Sequence, residues 1–289
     1  MNTIAESELI LNPNGSVYHL HLRPEDIATT IITVGDPDRV HTVSQHFDHI
    51  ELRRQKREFC THTGTLNGKR LSVISTGIGT DNIDIVLNEL DALVNIDLLN
   101  RTLKATHTPL TIVRIGTSGA LQADLPVDSF VASSFGIGMD ALLNFYDFSP
   151  NALETAVADI LPHFNPKINP YVAQGSATLL HTLAHDLVQG ITTTCCGFYG
   201  PQGRELRLKP AIGNLLDQLQ AVQHPNYRLT NFEMETAGIY GMSRLLGHEA
   251  LSLSVILANR VKGTFSKTPK KSVQKLISLT LERLTQGKN

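Results

Sequence analysis

Three cysteines, Cys60, Cys195 and Cys196, are too few for a disulfide framework, which predicts a reducing, cytoplasmic setting. A surplus of positive charge is missing too. Lys+Arg number 25 and Asp+Glu 27, for a net charge of −2, whereas a chain built to grip nucleic-acid phosphates is usually basic. Anion binding must come from a few focused residues. No apolar run approaches the roughly 18 residues of a transmembrane helix. The start, MNTIAESELILNPNGSVYHL, has neither a basic n-region nor an apolar h-region. The expectation is therefore no membrane and no nucleic-acid partner. Charged residues make up only 18%, below the average of about 25%, which points to surface hidden in an oligomer. What is present is 289 residues, 41% of them hydrophobic, enough for a sizeable core.

Strand-like apolar runs alternate with helix-like ones, which predicts an α/β fold. Residues 30–34, 69–75, 110–115 and 251–257 read as strands. They end respectively in Gly35-Asp36-Pro37, Thr76-Gly77-Ile78-Gly79, Gly116-Thr117-Ser118-Gly119 and Ala258-Asn259-Arg260. Ligands bind at such carboxyl ends in open α/β sheets. Asp81 or Asn82 can cap a helix carrying Ile85, Leu87, Leu90 and Leu93. Met234, Ala237, Gly241, Met242 and Leu245 have helical spacing, and Gly247 stands where a C-terminal cap belongs. Residues 272–285 form an amphipathic pattern. The stretch 144–192, with Pro150, Pro162, Pro166 and Pro170, is the least readable. No linker divides the chain, so 1–289 is expected to be one domain with 1–18 as an N-terminal extension.

Five clusters carry candidate chemistry. Gly35 with Arg39 offers bare backbone and a guanidinium fork to an anion, or is simply a turn with a surface arginine. Arg114, inside an apolar strand, needs a buried partner and is aimed either at a ligand or at a structural carboxylate. Ser75-Thr76-Gly77-Ile78-Gly79 lacks the third glycine of a dinucleotide fingerprint, and its backbone lines a pocket or merely packs. Phe198 with Gln202 and Arg204 can stack on a flat heterocycle and read its polar edge, or form an aromatic-anchored surface loop. Glu233 and Glu235 flank Met234 at a helix start. There a carboxylate can accept from a vicinal diol, although acids favour helix starts in any case.

The 12 histidines show no metal motif. His19-Leu20-His21 would set two rings on one face of a strand. His181 and His185 are four apart without the glutamate of H-E-x-x-H, and no cysteine pair has zinc spacing. No metal is expected. The cysteines read as packing residues, and no G-x-S-x-G elbow is present.

Taken in order, GDPDRV, KREF, STGIG, RIGTSGA, FYGPQGR, FEMET and ANR resemble the nucleoside phosphorylase family from about residue 19 to 260, with greatest similarity to its uridine branch. The resemblance implies a single-domain three-layer fold, a central mixed β-sheet flanked by helices. It implies a phosphate site of Gly35, Arg39, Arg114 and Thr117, joined by Arg57 from a neighbouring subunit. Ribose falls to Met234, Glu235 and a neighbour's His19. The base falls to Ser118, Gly119, Phe198, Gln202, Arg204 and Glu233, with Arg260 behind it. The implied reaction is uridine plus phosphate to uracil plus ribose 1-phosphate in nucleoside salvage. Inorganic phosphate is then a co-substrate and no cofactor is needed. The implied assembly is a homodimer sharing active sites, alone or as the unit of a hexamer.

A purine enzyme would place an acid beside the base, and Ala258-Asn259-Arg260 offers none. Gly203 stands where bacterial members can carry glutamate, Ser118 replaces a frequent threonine, and Ala258 is smaller than the usual branched residue. A purine nucleoside phosphorylase, a nucleosidase of the same superfamily and a catalytically silent nucleoside-binding protein remain the alternatives.

Overall fold

The computed structural model describes residues 3–161, 168–222 and 226–286. Pro162 and Pro166 lie outside the described residues. The elements run β1 (Thr30–Val34), α1 (Pro37–Ser44), β2 (His49–Lys56), β3 (Phe59–Leu66), β4 (Lys69–Ser75), α2 (Thr80–Asn95), β5 (Ile96–Asp97), β6 (Thr102–Leu103) and β7 (Thr111–Ala120). They continue with β8 (Phe130–Gly138), α3 (Ala152–Ala158), β9 (Tyr171–Gln174), α4 (Ala177–Ala184), β10 (Val188–Thr194), α5 (Leu215–Gln220) and β11 (Leu229–Glu233). The last four are α6 (Thr236–Leu245), β12 (Glu249–Asn259), β13 (Thr264–Phe265) and α7 (Pro269–Thr285).

All strands but β5 and β6 join one 11-stranded mixed sheet in the order β13-β12-β8-β10-β11-β7-β1-β4-β3-β2, with β9 on β8. Because β12 also pairs with β7, the strands β7, β12, β8, β10 and β11 close into a ring, and β1, β4, β3 and β2 extend from it as a wing. Side chains alternate across the sheet with the strand period of two. Ile31 and Ile112 pack under α2 and α6, against Leu87, Leu90, Ile239 and Met242. Ile32, Val34, Val113 and Ile115 pack on the other face, against Val40 of α1, Leu183 of α4 and Leu276 of α7. Burying one such aliphatic side chain contributes about 1.5–3 kcal/mol, and these two clusters bond the helix layers to the sheet. The edge strand β2 has no fully buried residue, and its charged side chains blunt the open edge. No helix among the described residues is long and apolar enough to cross a membrane.

Several local expectations change. The strand expected over 110–115 does not stop at Gly116. It continues to Ala120, since β12 pairs with it from Glu249↔Thr111 to Asn259↔Ala120. The ladder outlasts the turn-like sequence. Helix α2 is not capped by Asp81 or Asn82. Gly79, at φ 98°, is its N-cap and Thr80 opens the helix, because the chain leaves β4 through a left-handed turn that a side chain would strain. The last helix begins at Pro269 rather than at residue 272, since a proline's missing N–H costs nothing in the first turn. His19-Leu20-His21 is a turn rather than a strand. His21 sits at φ 57° beside Asn14, and His19 turns to Glu89. Gly247, in contrast, is at φ 74° as a C-terminal cap should be. The N–H groups of Gly247 and His248 donate to Arg244 and Ser243 at 3.2 and 2.7 Å, a Schellman closure.

Candidate active site

Strand β12 occupies one edge of β7 along its whole length, so β1 and β11 must share the other edge. Parallel β1 pairs only as far as Thr33↔Arg114. Antiparallel β11 pairs only at Phe232↔Gly119 and Asn231↔Ala120. Residues 115–118 therefore face a gap onto which the carboxyl ends of β1 and β11 converge. A cavity of about 760 Å³ opens there, at the sheet position where such folds bind ligands.

Arg114 and Glu235 form the floor. Arg114 is 6% exposed and Glu235 4% exposed. Arg114 Nη2 pairs with Glu235 Oε2 and lies 3.4 Å from Glu233 Oε2. A guanidinium can lie flat along β7 here because residue 116 is glycine: a Cβ there would stand 1.6 Å from Arg114 Nη1. That Nη1 is buried with no hydrogen-bond partner, as is Ser118 Oγ nearby. Burial works against the Arg114 charge, but Glu235 and Glu233 outweigh it and hold its pKa above the ordinary value. Burial pushes the Glu235 carboxyl up, with Glu233 adding to it and Arg114 opposing. Glu235 Oε1 accepts the Gly79 N–H at 2.8 Å. Arg39, half-buried at the start of α1, reaches the Ile115 carbonyl at 3.4 Å. Burial and then the Arg114 charge lower its pKa. Asp36 caps this helix through the Asp38 N–H at 2.9 Å, and Gly35 precedes it at the cavity wall.

The opposite end is a loop. Arg204 stacks on Phe198, its Cζ 3.7 Å from the ring centre. Its Nη1 donates to the Phe198 carbonyl and to Gln202 Oε1, each at 2.6 Å. Burial and then Arg260 push the Arg204 pKa down to about 10. Gln202 is buried, and its carbonyl accepts from Arg260 Nη1 at 3.0 Å.

Residues 29–285 match the family described as the phosphorylase superfamily. The chain belongs to that superfamily. It is 28% identical to a uridine phosphorylase of Thermococcus kodakarensis over 280 residues, 94% of this chain and 88% of the relative. It is equally 28% identical, over 246 residues, to a DeoD-type purine nucleoside phosphorylase of Listeria monocytogenes, covering 82% of this chain and 85% of that one. A solved Trypanosoma brucei nucleoside phosphorylase, described as showing uridine phosphorylase activity, superposes with a TM-score of 0.88 at 28% identity, over 96% of this chain and all of that one.

Within this superfamily fold the cavity gathers Gly35, Arg39, Arg114, Thr117, Ser118 and Gly119 from the sheet side. It gathers Phe198, Gln202, Arg204, Glu233, Met234 and Glu235 from the other. Glu233 has its oxygens engaged: it accepts from Thr194 Oγ1 at 2.6 Å and from the Glu235 and Thr236 N–H groups at 2.9 Å, tying down the start of α6. Three candidates are not on the cavity wall. His19 is held by Glu89 at 2.7 Å. Arg57 is exposed at the β2–β3 turn with φ 55°. Arg260 stands behind Gln202. Gly77 and Ile78 of the Ser75–Gly79 segment also line it, and so do Glu58, Asn82 and Phe265, which the sequence did not single out for binding. Glu58 sat unread inside the KREF motif, and Phe265 on the short β13 carries no motif at all. Cys195 is buried, and burial with Glu233 pushes its thiol well up, which leaves it unreactive as a nucleophile. Among the described residues, the two groups with metal-ligand character, His41–Cys60–His62 and Asp91–His107–His248, both lie outside this cavity.

Proposed function

We propose that this chain is a pentosyltransferase that cleaves uridine with inorganic phosphate, giving uracil and ribose 1-phosphate. The observation that carries the reading is the buried Arg114. Its Nη2 is neutralised by Glu235 and its Nη1 is buried without a partner, in a residue that lines the cavity together with Arg39. Phosphate would lie between Arg39, Arg114, Thr117 and the Gly35 backbone. Glu235 uses one lone pair of each oxygen on Gly79 and Arg114. A second lone pair remains on each, which suits the 2′- and 3′-hydroxyls of ribose, with Met234 beneath the sugar.

Breaking the C–N bond builds positive charge on the sugar, as in glycoside hydrolysis. The phosphate attacks the anomeric carbon and offsets that charge. The bonding pair leaves with uracil, whose carbonyl oxygens gain charge, and Gln202 and Arg204 donate to them more strongly as it grows. Catalysis is positioning plus electrostatics, with no covalent protein intermediate, no cofactor and no metal. Ser118, Gly119 and Phe198 shape the base end. Glu233 and Arg260 act as supports. The wider reading is a cytoplasmic enzyme of pyrimidine salvage, in keeping with three unpaired cysteines. It acts as a homodimer or a multiple of one, in which His19 and Arg57 serve the neighbour's cavity.

The test is base release from a panel of nucleosides with and without phosphate. Phosphate-dependent release from uridine is expected. Release without phosphate makes the chain a nucleosidase, and release only from inosine or adenosine makes it a purine enzyme.

A further inference from the structure

Helix α1 carries Arg39 on one side and lies across β3 on the other. Cys60 and His62 are two residues apart on β3, so their side chains share a face, and both are buried at 2% exposure. His41, exposed on α1, stands over them, its ring meeting that of His62 edge-on with centres 4.7 Å apart. One ligand atom from each of His41, Cys60 and His62 lies within 4.8 Å of the others. We propose that these three side chains form a binding site for a zinc-type divalent cation that ties α1 to β3, outside the nucleoside cavity.

The donor set fits such an ion. A thiolate and two imidazoles with a water in the fourth position satisfy tetrahedral zinc, and soft sulfur excludes magnesium and calcium. Zinc bonds of about 2.0–2.3 Å bring ligand atoms to roughly 3.3–3.6 Å of one another. The exposed His41 has the rotamer freedom to approach the other two ligands. Ser44 Oγ lies 2.7 Å from His62 Nδ1. This contact orients the ring and leaves Nε2 to bind, as the outer partners of metal-ligating histidines do. Binding displaces the Cys60 thiol proton to solvent and forms the metal–sulfur bond, so the two charges of the ion meet one thiolate. Arg53 pairs with His62 across β2 and β3. It is exposed, so water and salt screen its opposing charge. The sequence hides this site: the Cys60-Thr61-His62 spacing is too short for a zinc motif, and His41 joins only through the packing of α1 on β3.

The experiment uses the full chain with Co2+ as a chromophoric probe. Expected is one Co2+ per chain with a thiolate-to-cobalt charge-transfer band, displaced by Zn2+ and not by Mg2+. Cys60→Ser should abolish the band and Cys196→Ser should leave it. His41→Ala changes only an exposed residue and leaves the core intact, so it should weaken Co2+ affinity by about tenfold or more. A native chain with no band overturns the proposal. So does a band that survives Cys60→Ser or disappears with Cys196→Ser, or an affinity unchanged by His41→Ala.

Discussion

The two ends of the cavity are built differently. The end proposed for phosphate and ribose sits on the sheet: Arg114, Glu233 and Glu235 are all nearly buried and locked by one another, by Gly79 and by the first turn of α6. The end proposed for the base sits on a loop. Phe198 is 50% exposed there, and Leu206, a few residues on, is 74% exposed. Its polar groups are satisfied mostly within the loop itself, Arg204 by Gln202 and Phe198. A half that handles a sugar and an anion, as proposed for the sheet side, needs fixed charges in a dry place. The half that chooses a base can change by loop variation without disturbing them. Uridine- and purine-named relatives at the same 28% identity suit such a division.

Breaking the rigid half should have the largest effect. Arg114→Ala removes the proposed phosphate donor and strands two buried carboxylates, a defect of about 3–5 kcal/mol when a buried pair loses one partner. Turnover at low phosphate should collapse and the denaturant midpoint should fall; full activity at low phosphate would remove Arg114 from the site. The loop half should yield less. Gln202→Ala and Arg204→Ala are each expected to lower uridine kcat/KM by about 10–100-fold, leaving phosphate affinity and the unfolding midpoint nearly unchanged. Unaltered preference for uridine over inosine in both variants would mean that the loop does not read the base.

A third test asks whether the rigid half is complete in one chain. Arg57→Ala and Arg114→Ala chains, each nearly inactive, are mixed and allowed to exchange. If sites are shared across a two-fold axis, half the dimers are mixed and carry one intact site each, so roughly one quarter of wild-type activity returns. No recovery despite demonstrated exchange would return Arg57 to its own chain. The smallest effect concerns pH. Burial and Arg260 bring Arg204 down to about 10; its charge is present below that pH and lost above it. Uridine turnover should therefore fall as pH rises through about 10, and the fall should be absent from the residual activity of Arg204→Ala. A profile identical in the two enzymes would detach Arg204 from the leaving base.

Local signals are reliable where one element carries them. The run at 30–34 with Gly35, the amphipathic pattern of α2 and the cap at Gly247 were legible because strand period, helix period and left-handed turns are written in neighbouring residues. Local pattern misleads where distant partners decide. Gly116-Thr117-Ser118-Gly119 looks like a turn and is strand, held by a ladder with residues more than a hundred positions away. His19-Leu20-His21 looks like strand and is turn, drawn by Glu89. Phe265 could not be read as a cavity residue, since only the pairing of β13 on β12 brings it there.

By itself, then, the sequence determined the alternation of strands and helices, the placement of glycines and charges at strand ends, and the family. Each of these is a short-range pattern or an order of motifs along the chain. The tertiary structure alone decided that β1 and β11 stop short of one another along β7. It decided that Arg114 spends one nitrogen on Glu235 and keeps one free, and that His41 meets Cys60 and His62. Those contacts join residues far apart in the chain, and only packing, which has no local code, brings them together.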